Sequence, residues 1–515
     1  MGLGIDFGTT RTVVAWADRG NYPIVSFETD SGDMEEWFPS VVAERDGELR
    51  FGWSALAAAA DPSFTQARSF KRLLAGHEAR SNGEVSIGST RIGVADLIER
   101  FFEALAAALR TRSNLAKSLK KADRFDAVIA TPANAFCTQR FVTLDAFRRA
   151  GFDVTAMLNE PSAAGFEYSH RHARTLSSKR EHVIVYDLGG GTFDASLVRL
   201  SGTHHEVVTT AGLAELGGDD FDRVLADMVA ARAHIDLAKL TRHERARLLD
   251  QCRDAKERLT PSSRKIVLEL ADSEIAIPVA DYYEACTPLV ERTLEAMQHV
   301  LARGGASEPI TDDDALADVA GLYVVGGASS LPIVGRVLRE RFGRRVHRSP
   351  YPHAAVAIGL AIASDAGAGF ALDDRFSRNF GVFREEEGGA RATYDVIFTR
   401  EMPLPRPGQA ARVVQRRYRA AHDLGHYRFF ECADFDASGS PRGDIAPLTD
   451  VFFPFDARLQ ARADRDLPGI AVRRLDREGP LVEERYAVDA RGMVEVTIVD
   501  LDTGFEKRRT LGATG

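Results

Sequence analysis

The stretch IDFGTT, residues 5–10, is repeated in outline by YDLGGGT, residues 186–192. In both, an apolar run ends in an aspartate and the chain then turns through glycine. A second apolar run follows each turn, at residues 12–16 and 195–200. A strand–turn–strand unit that occurs twice in this way predicts two similar halves that face one another.

Both turns carry groups that can bind a phosphate chain. Glycine lets backbone N–H groups come close to phosphate oxygens, and threonine hydroxyls add donors. These residues are Gly8, Thr9 and Thr10 in the first turn and Gly189, Gly190, Gly191 and Thr192 in the second. One such turn alone is typical of an ordinary hairpin. Two facing turns could hold a triphosphate, with Asp6 and Asp187 orienting hydrated Mg²⁺.

The rest of residues 1–366 alternates strand and helix patterns. Short apolar runs at residues 128–130, 183–186 and 322–325 are followed by turn-forming residues, which predicts buried strands. Amphipathic helical patterns cover residues 94–112, 245–259, 283–301 and 331–342. This alternation indicates an α/β domain.

The sequence changes character after residue 366. The stretch DAGAG, residues 365–369, has the composition of a linker, and we assign the linker to residues 367–374. Residues 375–515 then alternate apolar and polar positions, as at Tyr394, Val396 and Phe398. This last part is predicted to be a β-sandwich without a long amphipathic helix.

Composition and charge restrict the class of protein. The 515 residues are 44% hydrophobic and 27% charged, as in folded soluble proteins. The net charge of −9 argues against nucleic acid or an anionic membrane as partner. The longest apolar helical stretch, residues 354–363, is shorter than the roughly 20 residues of a membrane span. With no signal-like leader and four widely spaced cysteines, expected to be buried reduced thiols, we expect a cytoplasmic protein.

Five motifs follow one another along the chain: GIDFGTT, VYDLGGGTFD, NEPSAAG, ELGGDDFD and VVGGASSLP. Together they resemble the motifs of the 70-kDa heat-shock (DnaK-type) chaperone family. The similarity runs from residue 3 to about residue 363 and resumes at residues 486–511. It implies an actin-like two-lobed ATPase domain with duplicated ribonuclease H-like lobes at residues 1–366, followed by a peptide-binding β-sandwich at residues 375–515.

The resemblance also implies a catalytic set. Its members are Lys71, Glu160, Asp187, Thr192 and Asp194. Lys71 matches the lysine that reaches the γ-phosphate, where a positive charge stabilises the transition state. Glu160 matches the glutamate that places water and metal, and Thr192 and Asp194 match groups that orient the attacking water or take its proton. Without the resemblance, Lys71 is typical of a surface lysine and Glu160 of a glutamate at a helix start.

The nucleotide-binding set implied by the resemblance is larger. It comprises Gly8, Thr9, Thr10, Arg11, Gly189, Gly190, Gly191, Gly217, Gly218, Arg253, Lys256, Glu257, Thr260, Gly326, Gly327, Ser329 and His353. Glu257 stands where the family has an arginine stacked on adenine, and Arg253 where it has a glutamate. Because both lie on one face of a helix, we hypothesise that Arg253 supplies the stacking guanidinium. His353 replaces an acidic residue of the family.

Three features concern communication between the two domains. The family's linker is leucine-rich, whereas residues 369–374 keep its acids but little apolar surface. Pro132 and Arg140 match a pair that relays the nucleotide state, although Arg140 alone is typical of a helix surface. The sequence ends soon after the β-domain, so we expect no α-helical lid and therefore fast release of a bound peptide.

Two clusters in the β-domain do not match the family closely. His422 and His426 are four residues apart, which admits a metal site, but their stretch has strand and turn character and no third ligand is evident. The run VFFPF, residues 451–455, is either a binding surface or, as we favour, part of the core.

Three functions fit these observations. The first is an atypical chaperone that binds ATP or ADP with Mg²⁺, hydrolyses ATP and couples the nucleotide state to the binding of unfolded peptide, with a co-chaperone or exchange factor as further candidate partners. The second is an ATP-dependent scaffold that holds one dedicated protein partner. The third is a sugar or acid kinase of the same fold, against which the sequence context of Lys71 and the β-domain argue.

Overall fold

The computed structural model describes residues 1–76, 83–172, 181–270, 273–303, 319–376, 378–436 and 439–512. The chain divides into two compact units. Unit 1 comprises Met1–Leu73, Glu84–Ala133 and Ala146–Leu372. Unit 2 comprises Leu74–Gly83, Asn134–Asp145 and Asp373–Gly515.

The strands of unit 1 are β1 (Leu3–Phe7), β2 (Arg11–Trp16), β3 (Phe27–Glu28), β4 (Met34–Glu35), β5 (Phe38–Pro39), β6 (Val41–Arg45), β7 (Glu48–Phe51), β8 (Thr65–Arg68), β9 (Glu84–Ile87), β10 (Thr90–Gly93), β11 (Phe125–Thr131), β12 (Phe152–Asn159), β13 (His182–Leu188), β14 (Phe193–Ser201), β15 (His204–Leu213), β16 (Lys265–Leu270), β17 (Ser273–Pro278), β18 (Val319–Val325), β19 (Val346–Arg348) and β20 (Ala371–Asp373). Those of unit 2 are β21 (Asn379–Glu386), β22 (Arg391–Phe398), β23 (Arg412–Arg419), β24 (Leu424–Phe435), β25 (Pro441–Pro454), β26 (Leu481–Val488), β27 (Val494–Asp500) and β28 (Glu506–Thr510).

The α-helices are α1 (Trp53–Ala57), α2 (Val94–Thr111), α3 (Ala116–Leu119), α4 (Cys137–Arg149), α5 (Glu160–His172), α6 (Gly218–Ala233), α7 (Arg242–Glu257), α8 (Val279–Ala296), α9 (Gln298–Arg303), α10 (Pro332–Phe342), α11 (Ala355–Ser364) and α12 (Ala457–Gln460). Short 3₁₀ helices cover Ala58–Ala60, Phe70–Ala75, Leu237–Lys239, Gly327–Ser330, Gly343–Arg345, Ala366–Ala368, Glu387–Gly389 and Asp464–Asp466.

Two sheets of unit 1 share one arrangement. Sheet 1 has the strand order β12-β11-β1-β2-β5, and sheet 2 has the order β19-β18-β13-β14-β15-β20. β1 pairs antiparallel with β2 and parallel with β11, and β13 pairs antiparallel with β14 and parallel with β18. The same arrangement therefore surrounds both aspartate–glycine turns identified in the sequence. We call the parts of unit 1 built on sheet 1 and sheet 2 its first and second halves.

Helix α11 lies in the core of unit 1 and is buried from Ala355 to Ile362. It packs so closely against α5 that a Cβ atom on Gly359 would lie 1.7 Å from the carbonyl oxygen of Ala163. Such an approach of two backbones leaves space only for glycine. Within the described part of the chain, no helix has the length and apolar composition needed to cross a membrane.

The predicted helices are present, with ends that differ by up to four residues and one difference in their number. The pattern at residues 94–112 corresponds to α2, whose Leu97, Phe101 and Leu105 are fully buried. The single helix predicted at residues 283–301 is instead two helices, α8 and α9. The break falls at Met297, whose φ of −87° and ψ of 0° leave the helical range while its side chain is fully buried. Burial of this side chain thus accompanies the end of α8, which helical periodicity alone does not indicate.

The stretch predicted as a linker contains a strand. β20 is the outer strand of sheet 2 beside β15, and the Ala371 N–H donates to the carbonyl oxygen of Thr203 at 3.0 Å. Phe370 packs against the rings of Phe166 and His205, with centroids 5.4 and 5.5 Å away. The few apolar side chains of this stretch therefore pack against the core of unit 1.

His205 occupies a buried position on β15. Its Nε2 lies 2.9 Å from the Ser169 hydroxyl, and its ring stacks on Phe166 with a centroid distance of 4.6 Å. Burial, together with the nearby charge of His204, lowers the pKa of His205 to about 3. The folded protein therefore keeps this imidazole neutral at a pH at which an unfolded histidine binds a proton.

The free energy of unfolding of unit 1 is expected to fall as the pH drops below about 6.5, because the unfolded state then binds a proton that the folded state excludes at His205. Between about pH 6.5 and the pKa of His205 in the folded protein, this residue lowers the free energy of unfolding by about 1.4 kcal/mol per pH unit. Denaturation at pH 7, 6 and 5, followed by the fluorescence of the three tryptophans, measures it. The His205→Gln variant should lose this part of the pH dependence, whereas the His182→Gln control should keep it. If the free energy of unfolding changes with pH in the same way in the wild type and in His205→Gln, His205 is not its source.

Unit 2 contains two four-stranded antiparallel sheets. Their orders are β22-β21-β24-β25 and β23-β26-β27-β28. The two sheets contribute to one apolar core, which includes Phe380, Phe429 and Phe453 from the first and Val482 and Val496 from the second. In the run at residues 451–455, the side chains of Val451 and Phe453 belong to this core, as the favoured interpretation of that run predicts.

The two histidines of β24 and its preceding loop have separate carboxylate partners. His426 Nε2 lies 2.9 Å from Asp450 and its ring stacks on Phe452, whereas His422 Nε2 lies 3.3 Å from Glu385. Across the residues that the structure describes, no three His, Cys, Asp or Glu side chains converge as a metal site. These contacts favour pairing of each histidine with its own carboxylate over the metal-binding interpretation.

A buried polar cluster lies where residues 134–145 pack within unit 2. The Glu431 carboxylate accepts the backbone N–H of Cys137 at 3.1 Å, and burial raises the pKa of Glu431. The Arg140 guanidinium donates to the carbonyl oxygen of Arg491 at 2.8 Å and is 2% exposed. Arg140 is therefore not the exposed helix charge that its sequence context alone favours.

All four cysteines are buried free thiols, as their spacing in the sequence predicts. Burial raises the pKa of Cys252 and of Cys286 to about 12, and it also raises the pKa of Cys137 and of Cys432. The thiols are therefore protonated at neutral pH.

Candidate active site

A cavity of about 280 Å³ in unit 1 is lined from both halves. Of the residues predicted from the sequence, it brings together Asp6, Gly8, Thr9, Thr10, Arg11, Lys71, Glu160, Asp187, Gly189, Gly190, Thr192, Gly218, Arg253, Lys256, Glu257, Gly326, Gly327 and His353. The strand ends and turns of β1 and β13 thus meet at one cavity, together with the starts of α5 and α6 and the end of α7.

Five predicted residues do not line the cavity. They are Gly191, Asp194, Gly217, Thr260 and Ser329. Asp194 is buried on β14 directly opposite Asp187, and the Ser329 hydroxyl donates to the carbonyl oxygen of Gly326 at 2.7 Å. Ser329 thus holds the backbone at Gly326, which lines the cavity, and Asp194 lies beside Asp187. Thr260 lies beyond the end of α7, with its backbone N–H bonded to Ser263.

Asp219 and Asp222 line the cavity but were not selected from the sequence. Both belong to the stretch ELGGDDFD, from which only the glycines were chosen. Asp222 forms an ion pair with Lys256 at 2.6 Å, and Asp219 accepts a hydrogen bond from the Ser69 hydroxyl at 2.6 Å. The motif could therefore have indicated both aspartates. The sequence analysis selected the basic residues but missed these acidic partners.

The glycine turn of the second half packs tightly against the start of α6. The Gly218 N–H donates to the carbonyl oxygen of Gly189 at 2.9 Å. A Cβ atom on Gly217 would lie 2.6 Å from the backbone of Gly191, so this contact requires glycine. The turn and the helix start form one glycine-rich surface, a type of surface that binds phosphate groups.

Lys71 forms a buried ion pair with Glu160. Its Nζ donates to Glu160 Oε1 at 2.8 Å, and both residues are less than a tenth exposed. Lys71 lies on the 3₁₀ helix Phe70–Ala75, and Glu160 is the first residue of α5. Burial acts to lower the pKa of Lys71, but the carboxylates of Glu160 and Asp6 raise it overall, so the ammonium stays charged.

Carboxylates outnumber cations at this end of the cavity. Burial is the main cause that raises the pKa of Asp6 to about 7 and that of Asp194 to about 8. Burial also raises the pKa of Asp187 well above its ordinary value, and the charge of Glu160 adds to each of these effects. Carboxyl groups this close together repel one another when they ionise, and oxygen ligands of this kind suit a hard divalent cation such as Mg²⁺. Among the described residues, no group of three His, Cys, Asp or Glu side chains is placed to hold a metal ion, and Mg²⁺ at Asp6 and Asp187 stays a prediction.

The basic residues of α7 are held by aspartates. The Arg253 guanidinium lies 3.4 Å from Asp219, 3.6 Å from Asp222 and 3.2 Å from Asp250. Lys256 donates to the carbonyl oxygen of Gly218 at 2.8 Å. The hypothesis that Arg253 stacks on adenine stays a prediction, and stacking would compete with these three ion pairs.

The remaining predicted residues, Arg11, Glu257 and His353, also line the cavity. Glu257 forms an ion pair with Arg11 at 2.5 Å. His353 is half-buried, and its pKa is lowered by burial and by the charge of Arg11. An ion pair therefore joins the two halves of unit 1 at the cavity.

Comparison with known proteins gives consistent matches. A sequence profile described as Hsp70 protein matches residues 2–376. Curated relatives named chaperone protein HscA homolog include those of Burkholderia mallei and Burkholderia pseudomallei, each 35% identical over 384 residues, with 72% of this chain and 59% of the relative covered. The protein of that name from Bordetella petrii is 33% identical over 381 residues, covering 72% of this chain and 58% of its own length. The chain thus spans less than two thirds of the length of these relatives.

Proposed function

The chain belongs to the Hsp70 protein family, and from this premise we propose that it is an ATP-dependent chaperone that hydrolyses ATP in the cavity of unit 1 and couples the nucleotide state to binding of a polypeptide by unit 2. The observation that carries the proposal is the buried Lys71–Glu160 pair between two glycine-rich turns. A charged ammonium with phosphate-binding turns on both sides is suited to phosphoryl transfer.

Each catalytic role follows from the position of its side chain. The turns at Gly8–Thr10 and Gly189–Thr192 hold the triphosphate through backbone N–H groups and threonine hydroxyls. Lys71 offsets the negative charge that develops on the transferred phosphoryl group. Asp194 does not line the cavity, so its role in taking the proton of water rests on the family resemblance; its pKa, raised by burial to about 8, lies near neutral pH, as that role requires. Mg²⁺, when bound, supplies charge that neutralises phosphate oxygens.

We propose further that unit 1 is an actin-like two-lobed ATPase domain and that unit 2 is a β-sandwich. The duplicated arrangement of sheets 1 and 2 supports the first statement, and the core common to the two sheets of unit 2 supports the second. An unfolded peptide could add to an open sheet edge such as β22 or β25. The free buried thiols are consistent with a reducing compartment, so we propose a cytoplasmic location.

Single-turnover phosphate release from ATP tests this function. We expect release in water without any added acceptor, a requirement for Mg²⁺, and an acceleration of about fivefold or more by an unfolded apolar peptide, which is the usual scale of coupling between two sites. A rate of phosphate release that is the same with and without the peptide would support the alternative of a scaffold with one dedicated protein partner. A need for a sugar or acid acceptor would identify a kinase and contradict the proposal.

A further inference from the structure

The second half of unit 1 carries a dense group of arginines. Residues 332–353 contain six arginines and one acidic residue, although the whole chain has a net charge of −9. These arginines belong to α10, to the 3₁₀ helix that follows it and to β19, and they are Arg336, Arg339, Arg341, Arg344, Arg345 and Arg348. We call the surface formed by their side chains the arginine surface.

Most of the arginine surface is exposed and lacks acidic partners. Arg345 is half-buried, and the other five residues are exposed. The single acidic residue of this stretch, Glu340, lies 4.0 Å from Arg336. Within the part of the chain that the structure describes, no hydrogen bond or ion pair is formed by the side chains of Arg339, Arg341, Arg344 and Arg348. The positive charge of this surface is therefore largely uncompensated.

Two of these arginines lie near one another. The Arg339 side chain folds back along α10, so that a Cβ atom on Gly335 would lie 3.6 Å from Arg339 Nη1. Partial burial and the charge of Arg339 lower the pKa of Arg348 on β19. Like charges that are held near each other repel, and a bound carboxylate relieves this repulsion. The surface is thus suited to an anionic ligand.

β19 gives the arginine surface a sheet edge. It is an outer strand of sheet 2, and among the described strands it pairs only with β18. An extended segment can add to such an edge through main-chain hydrogen bonds. The 11 residues of α10 span about 16 Å, a length that about five extended residues cover. A short segment is therefore long enough to reach the arginines of both elements.

We propose that the arginine surface binds a short acidic segment of a partner polypeptide, with the carboxylates of the segment paired to guanidinium groups and its backbone beside β19. Arginine binds a carboxylate through two parallel N–H···O bonds, which favours this residue over lysine in such a contact. Nucleic acid and an anionic membrane extend far beyond the surface and would meet the net negative charge of the whole chain. The inference does not depend on ATP hydrolysis.

Fluorescence anisotropy tests the proposal with the full chain and a labelled ten-residue peptide that alternates glutamate and threonine. Two triple variants remove the same charge, one on the arginine surface and one at exposed lysines at and after α3: Arg339→Gln, Arg344→Gln and Arg348→Gln, and Lys117→Gln, Lys120→Gln and Lys121→Gln. Loss of one exposed ion pair changes an equilibrium by about two- to fivefold, so the arginine variant should bind about tenfold or more weakly at low salt.

The controls separate a local site from general charge. The lysine variant should bind the peptide as tightly as the wild type, and a peptide with glutamine in place of glutamate should not bind. High salt should weaken binding by the wild type, because it screens exposed charges. An equal loss of affinity in the two triple variants would show that net charge alone attracts the peptide, and the proposal would be wrong.

Other occupants of the surface give different results. If the acidic peptide does not bind at low salt, the proposal fails, and arginine-dependent binding of a ten-nucleotide single-stranded DNA or of phosphatidylserine vesicles would then assign the surface to one of those ligands. The chain has an acidic stretch of its own, residues 308–318, which lies outside the described residues. If the peptide binds only after Asp312→Asn, Asp313→Asn and Asp314→Asn are combined, this stretch and not a partner occupies the surface.

Discussion

Replacement of Lys71 by methionine is expected to slow single-turnover ATP hydrolysis by about 10²–10³-fold, the usual cost of removing one group that stabilises transition-state charge. Lys71 is a cation among four carboxyls, and its ammonium lies 2.8 Å from Glu160. Methionine keeps the length of the side chain and removes the charge. The expected loss is therefore electrostatic, and it should appear in the hydrolysis step.

Three measurements define this experiment: phosphate release in a single turnover, nucleotide affinity, and stability to denaturant. Nucleotide affinity should change by much less than the hydrolysis rate, since the glycine-rich turns remain. Lys120→Met, at an exposed position outside the cavity, is the matched control. If Lys71→Met hydrolyses ATP at the wild-type rate, Lys71 has no role in the hydrolysis step. Loss of binding together with hydrolysis would instead indicate a structural role for the ion pair with Glu160.

The substitution Gly359→Ala is expected to destabilise unit 1 by about 3 kcal/mol or more, at the upper end of the range for overpacking. The added Cβ atom would lie 1.7 Å from the carbonyl oxygen of Ala163, so α11 and α5 must move apart. Both helices contribute to the core that also contains strands of sheets 1 and 2. The shift in the denaturation midpoint, followed by tryptophan fluorescence, measures the loss.

The same substitution in another helix provides the control. In α10, a Cβ atom on Gly335 would find its nearest neighbour at 3.6 Å, the flexible end of the Arg339 side chain. Alanine is favoured over glycine inside a helix by up to about 1 kcal/mol, so Gly335→Ala should leave stability unchanged or raise it. A similar midpoint shift in the two variants would show that close packing of α11 against α5 does not determine the stability of unit 1.

The sequence was sufficient to predict the parts of the site that are local in the chain. The two turns after Asp6 and Asp187 and the helix that begins at Glu160 each lie within a short motif, and the structure brings them to one cavity. The contact between Lys71 and Glu160 joins two distant motifs, and the family resemblance indicated that both belong to one site. For this part of the fold, local pattern and tertiary structure agree.

Other features depend on tertiary contacts that local patterns do not contain. The packing of α7 against α6 determines whether the Arg253 guanidinium is free to stack on adenine or is held by three aspartates. Arg140 has the sequence context of an exposed charge, yet it is buried by residues distant in the chain. The strand β20 forms because sheet 2 offers an open edge beside it, and Phe370 finds an apolar surface there. Apart from Asp250, which lies three residues before Arg253 on α7, these partners are more than one helical turn or one hairpin away from the residue concerned.

The buried cysteines make the protein a convenient subject for site-directed labelling. Maleimide reagents attack the thiolate form of accessible cysteines, and all four native thiols are buried, with pKa values raised above those of exposed thiols. A new cysteine at an exposed site in each half of unit 1 would therefore accept a dye with little background from the native residues. Energy transfer between two such dyes would measure whether the distance between the halves changes when a nucleotide is added.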